Sequence, residues 1–396
     1  MKVKVLIADK FPEQYIQKLK DADLDVIYQP KLGENDLPEA AKDVDVIVVR
    51  STVVNAKTIE DAKQLNLIVR AGAGVNNINI AAANKKGVYV SNCPGKNSIA
   101  VAELAIGLMI SLDRRIPNNV MDFKKGVWNK GEYSKAEGLF GKTLAIVGYG
   151  AIGKEVAKRA QALGMNIYAK DISRIEGYGV KDFSEFDQIL PIADIVTIHL
   201  PQTPETKNLF NDKMFGYMKK GAIFINTSRA GVVDEEALIR AVKEKGLKVG
   251  MDVFKDEPEA KSGPVSSKLQ ELENVYITHH IGASTEQAQN AVAEETVNII
   301  LGFIQSGFIA HWVNRARAPE THYQLIVKHY DKPGVLASVL DVLKVGDINI
   351  EEVENTIFDG GMVACCTMKL KGPATSHMLE LIRNNSNVIS YSHVQV

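Results

Sequence analysis

The chain has 396 residues, 45% of them hydrophobic, which is enough for two or three domains with proper cores. Its 47 Lys and Arg against 48 Asp and Glu leave a net charge of −1 with the signs interleaved, so neither nucleic acid nor an anionic membrane surface is an expected partner. Three cysteines, two of them the neighbours Cys365 and Cys366, fit a reducing, cytoplasmic setting, and no metal-ligand spacing is present.

Met1 to Asp9 alternates charged and aliphatic residues like a first strand and not like a signal peptide. Strands are expected at Lys4–Ala8, Asp25–Tyr28, Val46–Val49, Leu67–Val69 and Val88–Ser91, with helical stretches between them. That alternation predicts a parallel, doubly wound α/β sheet. The apolar stretch Ala100–Leu112 contains Glu103 and is too short to span a bilayer, so a buried helix is expected there.

The strand Thr143–Val147 then runs into Gly148-Tyr149-Gly150-Ala151-Ile152-Gly153, followed by a helical pattern over Lys154–Leu163 and a strand at Asn166–Ala169. Asp171 stands about 18 residues past the last glycine, where a dinucleotide fold needs an acid for the ribose hydroxyls. The glycines let backbone approach a pyrophosphate that the helix N-terminus stabilises. An acid at this place repels a 2′-phosphate and favours NAD over NADP, while Lys170 and Arg174 nearby work the other way. Further strands at Ile195–Ile198, Ala222–Asn226, Lys248–Asp252 and Val275–Thr278 complete a second, Rossmann-type sheet. The long helix Ser284–Gln305 is expected to return to the first sheet. The expected organisation is a discontinuous domain, 1–96 with 284–312, around a dinucleotide domain, 97–283.

After the linker Arg315-Ala316-Arg317-Ala318-Pro319 the order becomes strand, helix, strand, strand, helix, strand, which predicts a ferredoxin-like βαββαβ domain over 320–396. Its expected elements are Tyr323–Lys328, Val335–Lys344, Ile348–Ile357, Met362–Leu370, Ser376–Arg383 and Ser390–Val394.

Ligands of open α/β sheets bind beyond the carboxyl ends of strands, which singles out Arg229, Glu257 and His280 in the second sheet. A guanidinium at Arg229 can grip a carboxylate through two hydrogen bonds and polarise a neighbouring oxygen. An imidazole with a pKa of about 6.5 suits His280 to exchange a proton with a hydroxyl. Glu257 would bind the far imidazole nitrogen and fix the tautomer.

Arg229 in NTSRAGVVDEEAL, Glu257 in DVFKDEP, His280 in HHIGAS, RAGAGVNN from Arg70 to Asn77 and the glycine fingerprint together resemble the D-2-hydroxyacid dehydrogenase family over roughly residues 1 to 310. HYDKPGVL from His329 to Leu336 and INI from Ile348 to Ile350 resemble an ACT domain. The resemblance implies flavodoxin-like and Rossmann domains, with Arg229 holding the substrate carboxylate, His280 as acid/base and Glu257 as its partner. It further implies cofactor contacts at Ala151, Ile152, Thr227, Ser228, Asp252, Ile281, Gly282 and Ala283, and substrate contacts at Arg50, Arg70 and Asn97. Lys130 stands where the family often has arginine and is expected to reach a neighbouring subunit's site; the other reading is a solvated surface lysine. The combination with an ACT tail implies NAD-dependent oxidation of 3-phospho-D-glycerate in a homodimer or homotetramer. Other D-2-hydroxy acids, or an NAD-sensing interaction protein, are the alternatives. His329, Asp331 and Asn349 match positions that would contact serine as an effector; the other reading is a tail that only joins subunits. The sequence departs from the resembling families at four positions: His279 replaces a usual proline, Ala151 an arginine and Leu200 a polar residue, and Asp331 stands where asparagine is expected.

Overall fold

The computed structural model describes residues 2–177, 179–258, 263–316 and 323–396, in two units, Met1–Asn314 and Arg315–Val396. Of the linker expected at Arg315–Pro319, residues 317–319 lie outside the described ones, as does the expected domain start at 320.

In the first unit β1 (Lys4–Ile7), β2 (Asp25–Tyr28), β3 (Val46–Val49), β4 (Leu67–Arg70) and β5 (Tyr89–Asn92) form a parallel sheet in the order β2-β1-β3-β4-β5. This is the flavodoxin-like order, whose switch point lies between β1 and β3. Val46–Val49 is buried at every position, as expected of a strand covered on both faces. One cover is the helix Glu286–Ser306, which packs Ala293, Val297 and Ile300 beside Val5, Val46 and Val69. Thr285 caps its start by accepting from Ala288 N, and Gly307, at φ +70°, ends it. Beyond it the chain rejoins β5, with Val313 N donating to Val90 O.

The second sheet holds β6 (Thr143–Val147), β7 (Asn166–Lys170), β8 (Val180–Asp182), β9 (Ile195–Ile198), β10 (Ile223–Asn226), β11 (Lys248–Met251) and β12 (Val275–Ile277). All its strands are parallel, in the Rossmann order β12-β11-β10-β9-β6-β7-β8. The helices Ser98–Arg114 and Ala151–Ala162 share a core with one face of it. The second of these starts three residues before the apolar periodicity does, because its first turn is Ala-Ile-Gly and the buried stripe begins at Gly153 and Val156. β8 had no signal in the sequence, being three residues long and largely exposed.

In the second unit β13 (Tyr323–Tyr330), β14 (Ile350–Ile357), β15 (Val363–Leu370) and β16 (Val388–Gln395) make an antiparallel sheet in the order β14-β15-β13-β16. With the helices Val335–Val345 and Ser376–Arg383 this is the ferredoxin-like βαββαβ arrangement. Among the described residues, no helix is long and apolar enough to cross a membrane.

Candidate active site

The glycine fingerprint occupies the turn from β6 into the helix Ala151–Ala162. Gly148 sits at φ +94°, and a side chain there would place Cβ 2.4 Å from His199 O. A Cβ on Gly153 would lie 2.2 Å from Gly148 O, so helix and strand pack this closely only with glycine. Gly150 faces open space, and as N-cap it leaves the first-turn N–H groups without a side-chain acceptor. Asp171, just past β7, accepts from Tyr149 N at 2.6 Å and from Ser173 N at 3.0 Å, which ties it to the fingerprint. Two buried polar atoms at the ends of neighbouring strands, Thr227 Oγ1 and His199 Nδ1, have no hydrogen-bond partner. Burial pushes the His199 imidazole down to about 3, so it is neutral. Uncapped helix N–H groups, an open glycine and orphaned donors form the cradle a dinucleotide requires.

Beyond β10 the buried Asn226 organises the loop that carries Arg229. Its Oδ1 accepts from Ser228 N at 2.9 Å and Ser228 Oγ at 2.8 Å, and its Nδ2 donates to Arg229 O at 3.0 Å. Arg229 Nη1 donates to Ser228 O, and its Nη2 fits because Gly74 in RAGAGVNN has no side chain; a Cβ there would be 2.5 Å away. Burial lowers the Arg229 pKa, with Glu257 opposing.

His280 follows β12 at φ +50°, a left-handed conformation uncommon outside glycine. Asp252, 2% exposed at the end of β11, holds it there. Asp252 Oδ1 accepts from Thr278 Oγ1 at 2.6 Å and Ile281 N at 2.8 Å, and Oδ2 accepts from Gly282 N at 2.7 Å. Glu257 Oε2 lies 2.8 Å from His280 Nδ1, and its Oε1 accepts from Phe254 N at 3.0 Å. With Nδ1–H donated to the carboxylate, Nε2 is left as the reactive nitrogen. The hydrogen bond to Glu257 raises the His280 pKa above 6.5, while burial and Arg229 oppose it. Neighbouring His279 makes no such carboxylate pair among the described residues.

A cleft of about 490 Å³ opens in front of His280, lined also by Arg50, Arg70, Asn97 and Ala283. Arg70 is pushed down to about 10, first by burial and then by Arg229 and Arg50, and its Nε has no partner. Among the described residues neither Arg50 nor Arg70 forms an ion pair, so the cleft is cationic, while Arg229 is not among the residues that line it. The one carboxylate lining it, Asp9, is 5% exposed and engaged elsewhere. Asp9 Oδ2 accepts from Arg50 N, Ser51 N and Thr52 N at 2.7, 2.9 and 2.9 Å, and its Oδ1 from Ser51 Oγ at 3.1 Å. Burial raises the Asp9 pKa, but these hydrogen bonds outweigh it and the net shift is downward. Sequence reasoning missed Asp9; its signal was an acid at the end of a switch-point strand.

The remaining expected residues are more scattered. Asn97 is the N-cap of Ser98–Arg114 with its side chain unused for capping. Ala151 and Ile152 begin the fingerprint helix, and Ile281 is 46% exposed beside His280. Lys130 starts a short exposed helix, Lys130–Tyr133, and does not line the cleft. In the second unit His329 is 2% exposed, on the face of β13 shared with Leu325 and Val327. Its Nδ1 donates to Tyr330 O at 2.8 Å, and Nε2 lies 3.3 Å from Asn355 Oδ1. Asp331 and Asn349 are exposed. Among the described residues there is no group of three or more His, Cys, Asp and Glu able to hold a metal.

A family model described as D-isomer specific 2-hydroxyacid dehydrogenase, NAD binding domain, matches residues 106–282. The D-3-phosphoglycerate dehydrogenase of Methanocaldococcus jannaschii is 37% identical over 358 residues, covering 89% of this chain and 67% of that protein. The hydroxypyruvate reductase of Thermotoga maritima is 39% identical over 299 residues, covering 75% of this chain and 97% of that protein. The NAD+-bound 3-phosphoglycerate dehydrogenase of Entamoeba histolytica has a similar structure, with a TM-score of 0.67 at 29% identity over 80% of this chain and 100% of that one. The chain spans about half to two thirds of the length of the phosphoglycerate dehydrogenases it matches. Sheet order, fingerprint and sequence identity converge: the chain belongs to the D-isomer specific 2-hydroxyacid dehydrogenases, and its second sheet is their NAD-binding domain.

Proposed function

We propose that the chain oxidises 3-phospho-D-glycerate at C2 to 3-phosphohydroxypyruvate, reducing NAD+. The observation that carries this reading is the His280–Glu257 pair, 2.8 Å apart, facing a cleft whose arginines have no carboxylate partners. Arg229 grips the substrate carboxylate and orients C2. His280 Nε2, the nitrogen not engaged by Glu257, takes the C2 hydroxyl proton, and Glu257 stabilises the imidazolium that forms. When bound, NAD+ accepts the hydride that leaves C2. Gly148, Gly150 and Gly153 would hold its pyrophosphate and Asp171 its ribose hydroxyls, and Thr227, Ser228 and the Ile281–Ala283 segment would supply further contacts. Arg50 and Arg70 supply positive charge for the 3-phosphate, which carries close to two negative charges.

In this reading residues 1–96 and 284–312 bind substrate, 97–283 bind NAD, and 320–396 regulate. The active form is a homodimer or homotetramer in the cytoplasm, with Lys130 reaching a neighbour's cleft. Serine binds where C-terminal units pair, through the exposed Asp331 and Asn349. His329 joins only if its internal hydrogen bonds are released.

The match to 97% of a hydroxypyruvate reductase, over 75% of this chain, favours a second reading, an unphosphorylated acid in the same site. Initial rates of NADH formation across a panel of D-2-hydroxy acids decide between them. Preferred turnover of 3-phospho-D-glycerate supports the proposal, and turnover of unphosphorylated acids alone overturns it.

A further inference from the structure

The switch point of the first sheet lies between β1 and β3, the place where an open parallel sheet leaves a crevice for a ligand. Each of these two strands is followed by a cation at the cleft: Arg50 directly after β3, and Lys10 in the loop after β1. Asp9 fastens the two loops together, since its carboxylate accepts three backbone N–H groups and one hydroxyl from residues 50–52. Those bonds have two consequences. The backbones that carry Lys10 and Arg50 are tied together across the crevice, and the one acid lining the cleft is committed to donors of residues 50–52. Among the described residues Lys10 has no ion-pair partner.

We propose that Lys10 is a specificity-determining residue that contacts the phosphate group of the substrate opposite Arg50. A phosphate dianion needs more than one cation to offset its desolvation, and a flexible ammonium from the loop after β1 complements a guanidinium from the loop after β3. The Lys10 ammonium stays hydrated in the free enzyme and costs nothing to keep unpaired, unlike the buried Arg70. The inference rests on the phosphorylated-substrate reading above and adds to it the residue that discriminates against unphosphorylated acids.

The test is steady-state kcat/KM at saturating NAD+ for the full chain, Lys10→Met and Lys10→Arg, each with 3-phospho-D-glycerate and with D-glycerate, which differs only by the phosphate. In Lys10→Met the ratio of the two kcat/KM values should fall about tenfold, chiefly through KM for the phosphorylated acid, as loss of one charged hydrogen bond predicts. Lys10→Arg should bring the ratio back to within about threefold of wild type. An unchanged ratio in Lys10→Met, or equal losses on both substrates, overturns the role of Lys10 while leaving the substrate reading intact. A wild-type enzyme with no preference for the phosphorylated acid overturns the substrate reading, and the inference with it.

Discussion

Replacing Asp252 by Asn removes one charge and exchanges one acceptor for a donor at a residue only 2% exposed. The best rotamer keeps the amide oxygen at the Oδ1 position, where it still accepts from Thr278 Oγ1 and Ile281 N. The NH2 group then faces Gly282 N–H, donor against donor, at a site where the native oxygen is 2.7 Å away. Losing one charge-assisted hydrogen bond costs about 1.5–3 kcal/mol and leaving the buried N–H unsatisfied about 1–3 kcal/mol, so the loop loses roughly 2.5–6 kcal/mol of support. That exceeds the roughly 1–2 kcal/mol needed to hold a non-glycine residue left-handed, so His280 should leave its φ of +50°. A displacement of about 1 Å at the base lowers kcat about 100-fold. Steady-state kinetics at saturating NAD+, with the NAD+ dissociation constant measured separately, read the outcome. If Asp252 serves only as a cofactor contact, affinity for NAD+ weakens while kcat at saturation persists, and the loop-anchoring account is refuted.

The hydrogen bond that His280 donates to Glu257 raises the His280 pKa above 6.5, so oxidation, which needs neutral imidazole, should gain kcat/KM as pH rises through that raised value. Reduction needs the imidazolium and should show the opposite limb. Glu257→Gln should move both limbs to lower pH and cut kcat about 10- to 100-fold; pH–rate profiles with unmoved limbs would remove Glu257 from the site. Gly153→Ala should push the helix Ala151–Ala162 off Gly148 O, which its Cβ would approach to 2.2 Å, and weaken NAD+ binding about tenfold or more, read by fluorescence titration.

How far the sequence reached differs between backbone and site. Strands such as Val46–Val49 and Thr143–Val147 were legible because both faces are buried and the apolar run is continuous. The exposed, three-residue β8 carries no such pattern. Gly148 and Gly153 announced a dinucleotide turn because only glycine tolerates those contacts. The supports of the site were not legible. Asp9 binds backbone more than 40 residues away, and Asp252 reaches Ile281 across 29, so neither leaves a local motif. The left-handed turn at His280 was hidden for the same reason: it is imposed by Asp252, not by glycine at that position. His329 illustrates a further limit, since its match to an effector position said nothing about its being turned into the core of its own unit.

The central claim is that His280, held by Asp252 and Glu257, is the group that exchanges the substrate proton. Oxidation of 3-phospho-D-glycerate by His280→Asn and His279→Asn variants, both checked for intact NAD+ binding, tests it most directly. His280→Asn should lose about 10²- to 10⁴-fold in kcat while His279→Asn stays within a few-fold of wild type. Collapse in His279→Asn with activity retained in His280→Asn would contradict it.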